Sequence, residues 1–148
     1  MDLECSCAIA RTLAVIGERW SMLVLREASG GTTRFADFRD NLGVASDVLA
    51  DRLATLVEHG VLAKEPYREA GARTRYEYRL TPIGEELQVV LGALQQWGDE
   101  HLPWHDGPSV IRRDRRNGRP IHIGYLDDRG REVAPDNVDR IRTAAYPA

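Results

Sequence analysis

Four groups of residues in this 148-residue chain have types and spacings that could do chemistry. The first is the cysteine pair, Cys5 and Cys7, the only two cysteines present. One intervening residue is too little for an unstrained internal bridge, so they build no disulfide framework and fit a reducing compartment. Cys7 stands at the start of an apolar helical run, where the helix N-terminus and Arg11 one turn on would favour a thiolate. It reads either as a redox sensor or as an inert cysteine at a subunit interface. The second group is a set of arginines, Arg34, Arg52, Arg68, Arg73 and Arg75, whose planar guanidiniums suit phosphate. The third is Ser46, Asp47, Ala50 and Asp51, at the start of a helix. An aspartate there can accept from the exocyclic amine of cytosine, or it can simply favour the positive end of the helix dipole. The fourth is His101 and His105, four apart as helical metal ligands would be. Pro103 breaks the helix between them and no third ligand is near, so they read as surface residues and no metal is expected. No Gly-rich phosphate loop, nucleophile elbow or catalytic His/carboxylate spacing occurs, so neither an enzyme nor a cofactor is expected.

The elements that must position these groups follow from periodicity. Ile9, Leu13 and Ile16 mark a first helix from Cys7 to Ile16, stopped by Gly17. A second, from Ser21 to Ala28, is apolar nearly all round and therefore buried. Ser29-Gly30-Gly31 breaks it. A third starts near Arg34, with Thr33 as its cap, Phe35, Phe38 and Leu42 as its stripe, and Gly43 as its stop. Ser46 caps the next, whose stripe is Leu49, Leu53 and Leu56 with Val57 beside them, and His59-Gly60 ends it. The short link Gly43-Val44-Ala45 makes the pair a helix-turn-helix.

Two strands follow, Leu62–Tyr67 and Arg75–Leu80. The second alternates Tyr76, Tyr78 and Leu80 against Arg75, Glu77 and Arg79. Thr81 then caps a long helix with Pro82 at its first position and Glu85 and Glu86 near its positive end. Its stripe, Ile83, Leu87, Val90, Leu91, Leu94, Trp97 and His101, runs for about five turns, longer than a small winged domain needs for its own core. Asp106–Ser109 is a linker. Ile121–Leu126, a turn at Asp127–Gly130, and Arg131–Val133 predict a C-terminal β-hairpin, and residues 136–145 a short helix. The whole reads as mainly α with a small β-hairpin: a winged helix-turn-helix over 1–105 and a β-rich appendage over 106–148.

In that architecture the helix from Ser46 enters the major groove, with Ser46, Asp47, Ala50 and Asp51 facing base edges. Arg52, next to buried Leu53, reaches sideways to a phosphate, or else ion-pairs with Glu58 or Asp51. Arg34 clamps a phosphate at the start of the third helix. Arg68, Arg73 and Arg75 flank Gly71 in a wing able to approach the minor groove, or stay solvated. The net charge of −3 does not by itself advertise nucleic acid. Residues 1–104 hold 11 basic and 16 acidic side chains, and residues 105–148 hold 9 and 7. A dimer, however, would double the five arginines onto one face, and affinity follows the phosphates neutralised. The run Arg112–Arg116, with Arg119, is either a nucleic-acid contact or, given Asp114 within it, a solvated loop. Trp20, Trp97 and Trp104 could line a ligand pocket or anchor a core or interface.

Cys7, Gly17-Glu18-Arg19-Trp20, Leu25-Arg26-Glu27, Arg34-Phe35, Leu49-Ala50-Asp51-Arg52-Leu53, His59-Gly60-Val61-Leu62 and Tyr78-Arg79-Leu80-Thr81-Pro82-Ile83-Gly84 occur in an order and spacing that resembles the HxlR family of bacterial transcription regulators, relatives of the MarR-like regulators. The resemblance spans about residues 7–102, and Arg34 and Arg73 match family positions. It implies a homodimer on an inverted-repeat, double-stranded DNA operator, acting as a repressor and answering to a small-molecule effector or an oxidant. It also implies dimerisation through the first helix (Ile9, Leu13) and the helix after the wing (Leu87, Val90, Leu91, Leu94, Trp97). Three departures stand out: Ala8 where proline usually follows the cysteine, Asp47 where a basic residue is common, and a tail beyond 105, without cysteine, outside the common core.

The remaining composition sets bounds. Hydrophobic residues make up 43% and charged residues 29%, ordinary for a globular chain, and the length can bury a core without disulfides or metal. No apolar run reaches about 18 residues and the acidic start MDLECSCAIA lacks a signal peptide's basic region, so the expectation is a cytoplasmic protein with no membrane partner. Two other readings stay open: a winged helix that binds a protein instead of DNA, and a ligand receptor whose tail carries the chemistry.

Overall fold

Phe38, Leu49, Leu53 and Leu56 have no exposed surface at all, and the first half of the chain is wrapped around them. The computed structural model describes residues 3–146 except 69 and 72. Its packing divides into two units, one of Met1–Gln88 with Ala145–Ala148 and one of Val89–Ala144. Packing therefore groups the last long helix with the tail, whereas sequence composition alone puts the division at 105/106.

The first unit runs α1 (Ala8–Ile16), α2 (Arg19–Ser29), α3 (Phe35–Leu42), α4 (Ser46–Glu58), β1 (Leu62–Tyr67), β2 (Arg75–Leu80) and α5 (Pro82–Glu86). Val24 and Leu25 of α2 are buried with the α3 and α4 stripes, as an all-round apolar helix requires. Gly43 and Gly60 end α3 and α4 with φ of 62° and 69°, the left-handed region in which glycine carries no Cβ penalty. β1 and β2 pair antiparallel from Leu62 opposite Leu80 to Tyr67 opposite Arg75, the register expected from the two runs.

Two caps differ from expectation. Arg34, not Thr33, is the N-cap of α3, and it makes no side-chain cap bond. The Thr33 carbonyl instead accepts from the Tyr78 N–H at 2.7 Å, and Arg34 forms an isolated antiparallel β-bridge with Glu77, so the main chain of this stretch is tied to β2. Ser46 is the first helical residue of α4, with Ala45 as an N-cap that has no side-chain oxygen to offer. Thr81 caps α5 as expected: its hydroxyl accepts from the Gly84 N–H at 3.1 Å and donates to the Gly60 carbonyl at 2.5 Å.

The long helix after the wing is not continuous. α5 stops at Glu86, Leu87 forms a turn, and α6 covers Gln88–His101. The Leu87 N–H reaches back only three residues, to the Gly84 carbonyl, a tightened last turn. Gly84 itself is buried so close to β1 that a Cβ there would lie 2.2 Å from the Val61 carbonyl oxygen.

In the second unit α6 packs against the tail. The expected C-terminal hairpin is present but short: β3 (Tyr125–Leu126) pairs antiparallel with β4 (Glu132–Val133). Residues before β3 have another use, since the Ile123 N–H donates to Gln96 Oε1 at 2.8 Å and the Ile123 carbonyl accepts from Gln96 Nε2 at 3.1 Å. Gly92 permits this approach, because a Cβ on it would meet Ile123 at 3.3 Å. Two tight turns are tied by aspartates. Asp114 accepts from the Arg116 guanidinium and N–H, and Asp127 from the N–H groups of Arg129 and Arg131 and the Arg131 guanidinium. Both carboxyls are held below the usual carboxylate range by those bonds, with the Arg116 side chain the largest cause for Asp114 and the Arg131 N–H for Asp127. The short helix expected over 136–145 does not form; only a 3₁₀ turn at Pro135–Asn137 is present. Ile141 is 84% exposed, and a ten-residue helix without a packing surface is marginal in water.

Candidate nucleic-acid interface

Burial of Leu49, Leu53 and Leu56 fixes how α4 is rotated. With 3.6 residues per turn, Asp47, Asp51 and Ala54 fall on the opposite side, Ala50 lies at its edge and Ser46 stands at the open start of the helix, and all five are exposed. Among the described residues, neither the Asp47 nor the Asp51 carboxylate has a hydrogen bond or ion pair, although the Asp51 carbonyl accepts from Thr55. Arg52 lies at the border of this face. It is half-buried, its Nε is covered and without a hydrogen-bond partner, and no ion pair joins it to Glu58 or Asp51 among the described residues.

Of the arginines expected to meet phosphate, Arg34 is held against an aromatic ring at the end of the wing strand β1. The Arg34 guanidinium carbon lies 4.8 Å from the centroid of Tyr67, a cation–π stack. Tyr67 ends β1 opposite Arg75, and Arg68 follows it directly. Arg68, Arg73 and Arg75 are exposed. Tyr67 was not among the residues picked from sequence; its position opposite Arg75 at a strand end is the signal that could have found it. Lys64 over the ring of Tyr76, at 4.4 Å, is a second cation–π contact of the hairpin. Arg79, by contrast, is engaged by Glu77 at 3.0 Å and Glu65 at 3.7 Å.

Cys7 is the half-buried N-cap of α1. Arg11 does not reach its thiol as expected; the guanidinium donates to the Cys5 carbonyl at 2.6 Å. The Cys5 thiol donates weakly to the Cys7 carbonyl at 3.5 Å, and both cysteines are free.

The expected interface residues are apolar and uncovered in this single chain. Ile9 and Leu13 of α1 are exposed in the first unit. In the second, Val90, Leu94 and Trp97 are exposed and Leu91 half-buried; Leu87, at the end of the first unit, is also half-buried. His101 stacks near Trp97 with ring centroids 5.0 Å apart, and His105 contacts Asp106 at 3.0 Å. No group of three metal-ligating side chains occurs among the described residues.

A groove of about 420 Å³ in the second unit is lined by Gly92, Gln95, Arg112, Ile121, His122 and Ile123 among others, and none of the three tryptophans lines it. Two members of the arginine run are engaged, Arg112 by Gln95 of α6 and Arg116 by Asp114, while Arg113, Arg115 and Arg119 are exposed. No helix among the described residues is long and apolar enough to cross a membrane.

Residues 15–106 match the family model described as HxlR-like helix-turn-helix. The chain belongs to this family. It is similar to the uncharacterized HTH-type transcriptional regulator Rv3095 of Mycobacterium tuberculosis, with 41% identity over 132 residues that cover 88% of this chain and 82% of that protein. Among solved structures it resembles the transcription factor PA1607 at a TM-score of 0.81 and 37% identity, covering 95% of this chain and 98% of the other. It also resembles the redox regulator HypR in its reduced form, at a TM-score of 0.59 and 26% identity over 65% of this chain and 94% of that one. The HxlR-type core is thus shared with HypR, and the tail is shared as well with PA1607. This HxlR-type chain is a transcriptional regulator of helix-turn-helix type with a mainly helical, winged fold, and it is not an enzyme.

Proposed function

We propose that this HxlR-type regulator binds an inverted-repeat operator in double-stranded DNA as a homodimer and represses the genes beside it. The observation that carries the reading is the exposed N-terminal face of α4 in the same unit as Arg34, stacked on Tyr67, and the exposed wing arginines Arg68, Arg73 and Arg75. In a duplex complex α4 lies in the major groove and the wing arginines run along phosphates and the adjacent minor groove. Phosphate contacts position the protein, and the α4 face specifies sequence. Arg52, at the border of the α4 face, adds one phosphate contact through the outer end of its guanidinium. A second copy covers the uncovered apolar residues of α1 and of α6, which a monomer would leave in water. Residues 1–105 carry DNA binding and dimerisation, and residues 106–148 serve as an appendage. No cofactor is needed.

A response to oxidant is the regulatory reading that a specific observation favours. Cys7 sits at the N-terminus of α1, one of the helices assigned to the dimer interface, and the similar HypR is described as a redox regulator. A small-molecule effector is the other form that response can take.

The test is selection of genomic DNA fragments by the purified protein, with the Arg34→Glu/Arg73→Glu double variant as control. Enrichment of one inverted repeat by the native protein alone supports the reading. Absence of enrichment at low salt, under both reducing and oxidising conditions, refutes it and leaves the winged helix as a protein-binding module. Cys7→Ser separates the regulatory readings, because a variant that still loses its operator fully on oxidation removes the cysteine from the mechanism.

A further inference from the structure

We infer that Asp47 and Asp51 are base-reading residues of α4 and that each selects a cytosine in the operator half-site. The inference rests on the DNA-binding reading above and adds what that site recognises.

The exposed face of α4 is unusual for a surface that meets a polyanion. Its N-terminal half presents Ser46, Asp47, Ala50, Asp51 and Ala54, two carboxylates and no cation, and Glu58 adds a third carboxylate at the far end of the helix. Arg52 borders it with its Nε covered. The cations assigned to phosphate are instead Arg34 and the wing arginines, so these draw the protein to DNA and the Asp47 and Asp51 face contributes no attraction of its own. Both carboxylates are unengaged among the described residues, so neither is spent on holding the fold together.

A carboxylate can only accept hydrogen bonds. Along the major-groove edge, guanine offers the acceptors N7 and O6, and thymine offers O4. Adenine sets its amine beside the acceptor N7, and cytosine alone offers an amine with no acceptor next to it. An aspartate pressed into the groove is therefore repelled by guanine and thymine, half-matched by adenine and matched by cytosine. Discrimination by penalty against the wrong partner is a common source of specificity. The four-residue separation puts the two side chains about 6 Å apart along the helix, less than two base-pair steps of about 3.4 Å. Both cytosines accordingly fall within one half-site.

The experiment is in vitro selection from randomised duplexes with the native protein, Asp47→Asn, Asp51→Asn and the double variant. Thermal unfolding followed by circular dichroism checks that each is folded. Asparagine keeps the shape and is suited to a bidentate bond with adenine N6 and N7. The native protein is expected to enrich cytosine at two positions at most two steps apart in each half-site. Asp47→Asn is expected to lower the preference for cytosine at one of them about tenfold, with adenine rising there, and Asp51→Asn to do the same at the other. If every variant selects the native motif and merely binds all sequences more tightly, the aspartates act only on the helix start and on phosphate repulsion, and the inference is overturned. A native motif without the paired cytosines overturns it as well while leaving DNA binding intact. Failure of the native protein to enrich any motif refutes the underlying DNA-binding reading, a result distinct from the other two.

Discussion

Replacing Gly84 by alanine sets two effects of opposite sign against each other. Gly84 lies inside α5, and alanine is the better helix former by about 1 kcal/mol. Propensity alone therefore says that Gly84→Ala stabilises. The packing says otherwise, because a Cβ at this position would sit 2.2 Å from the Val61 carbonyl oxygen and 3.0 Å from the Leu80 side chain. The nearer contact is more than 1 Å inside van der Waals distance, and its partner is main chain. That carbonyl cannot swing away freely, since it accepts from the Thr81 N–H at 3.1 Å and lies 3.2 Å from the Thr81 hydroxyl. Overpacking of this kind costs about 3 kcal/mol, so the net expectation is destabilisation by about 2 kcal/mol once the propensity gain of about 1 kcal/mol is offset. Gly98→Ala is the internal control. It also lies inside a helix, α6, but nothing stands within 4 Å of its added Cβ, and it should stabilise by about 0.5–1 kcal/mol. Urea unfolding monitored by far-ultraviolet circular dichroism, at one fixed protein concentration because association shifts apparent stability, measures both. A Gly84→Ala protein as stable as the native one would refute the claim that the start of α5 is locked against β1.

Ser21 is fully buried in α2 with a hydroxyl that has no hydrogen-bond partner. Ser21→Ala should therefore raise stability by about 1 kcal/mol, read by the same unfolding assay. Leu53→Ala should cost about 2–5 kcal/mol, because the side chain is fully buried under α4, and operator binding should be lost with it. The Asp127 carboxyl is held below its ordinary value of about 3.9. The support it gives the β3–β4 turn is thus complete above that value and is lost as pH falls through the lowered one. Protection of the Arg129 and Arg131 amides, taken as exchange relative to an unstructured peptide at the same pH, should fall as the solution is acidified below about pH 4, and Asp127→Asn should lower it already at pH 7. Leu94→Glu/Trp97→Glu puts two charges on residues that are 55% and 57% exposed in the single chain. Sedimentation should find it a monomer under conditions where the native protein is a dimer, with its circular dichroism unchanged.

What the sequence disclosed depended on how local its cause was. The boundaries of α4 and of both wing strands were legible, because a leucine stripe, a glycine stop and period-two alternation act over a few residues. The surplus apolar stripe of the last helix was legible too, and Leu94 and Trp97 are indeed uncovered. The caps were harder. Thr33 has the right side chain to cap α3, but its main chain is taken by Tyr78, and pairing across 45 residues leaves no local trace. The break at Leu87, just after Gly84 is packed against Val61, likewise has no mark in the local pattern of apolar residues. Within the candidate interface, the arginines and the α4 face could be named from type and spacing. Tyr67 carried only the weak signal of a ring at a strand end, because it meets Arg34 only once the wing has closed. Arg11 was assigned to the Cys7 thiol on proximity along the helix, whereas the carbonyl of Cys5 offers its guanidinium a bond of 2.6 Å.

The side-chain amide of Gln96 carries one acceptor and a donor, the same complement as a peptide group. A helix spends its own peptide groups internally and has none to lend to a passing chain. Gln96 lends a substitute, so the tail docks on α6 much as it would on the edge of a sheet, with Ile123 taking both bonds. Alignment of tail and helix is thereby written in two neighbouring side chains, Gln96 holding Ile123 and Gln95 holding Val110 and Arg112, rather than in the length of the intervening chain. An insertion between Leu102 and Val110 would lengthen a surface loop, at an entropic cost that grows only with the logarithm of its length, and would leave the same tail residues seated on the same turn of the helix. Loss of both glutamines would do the reverse, keeping the loop and releasing the tail's polar hold on the helix.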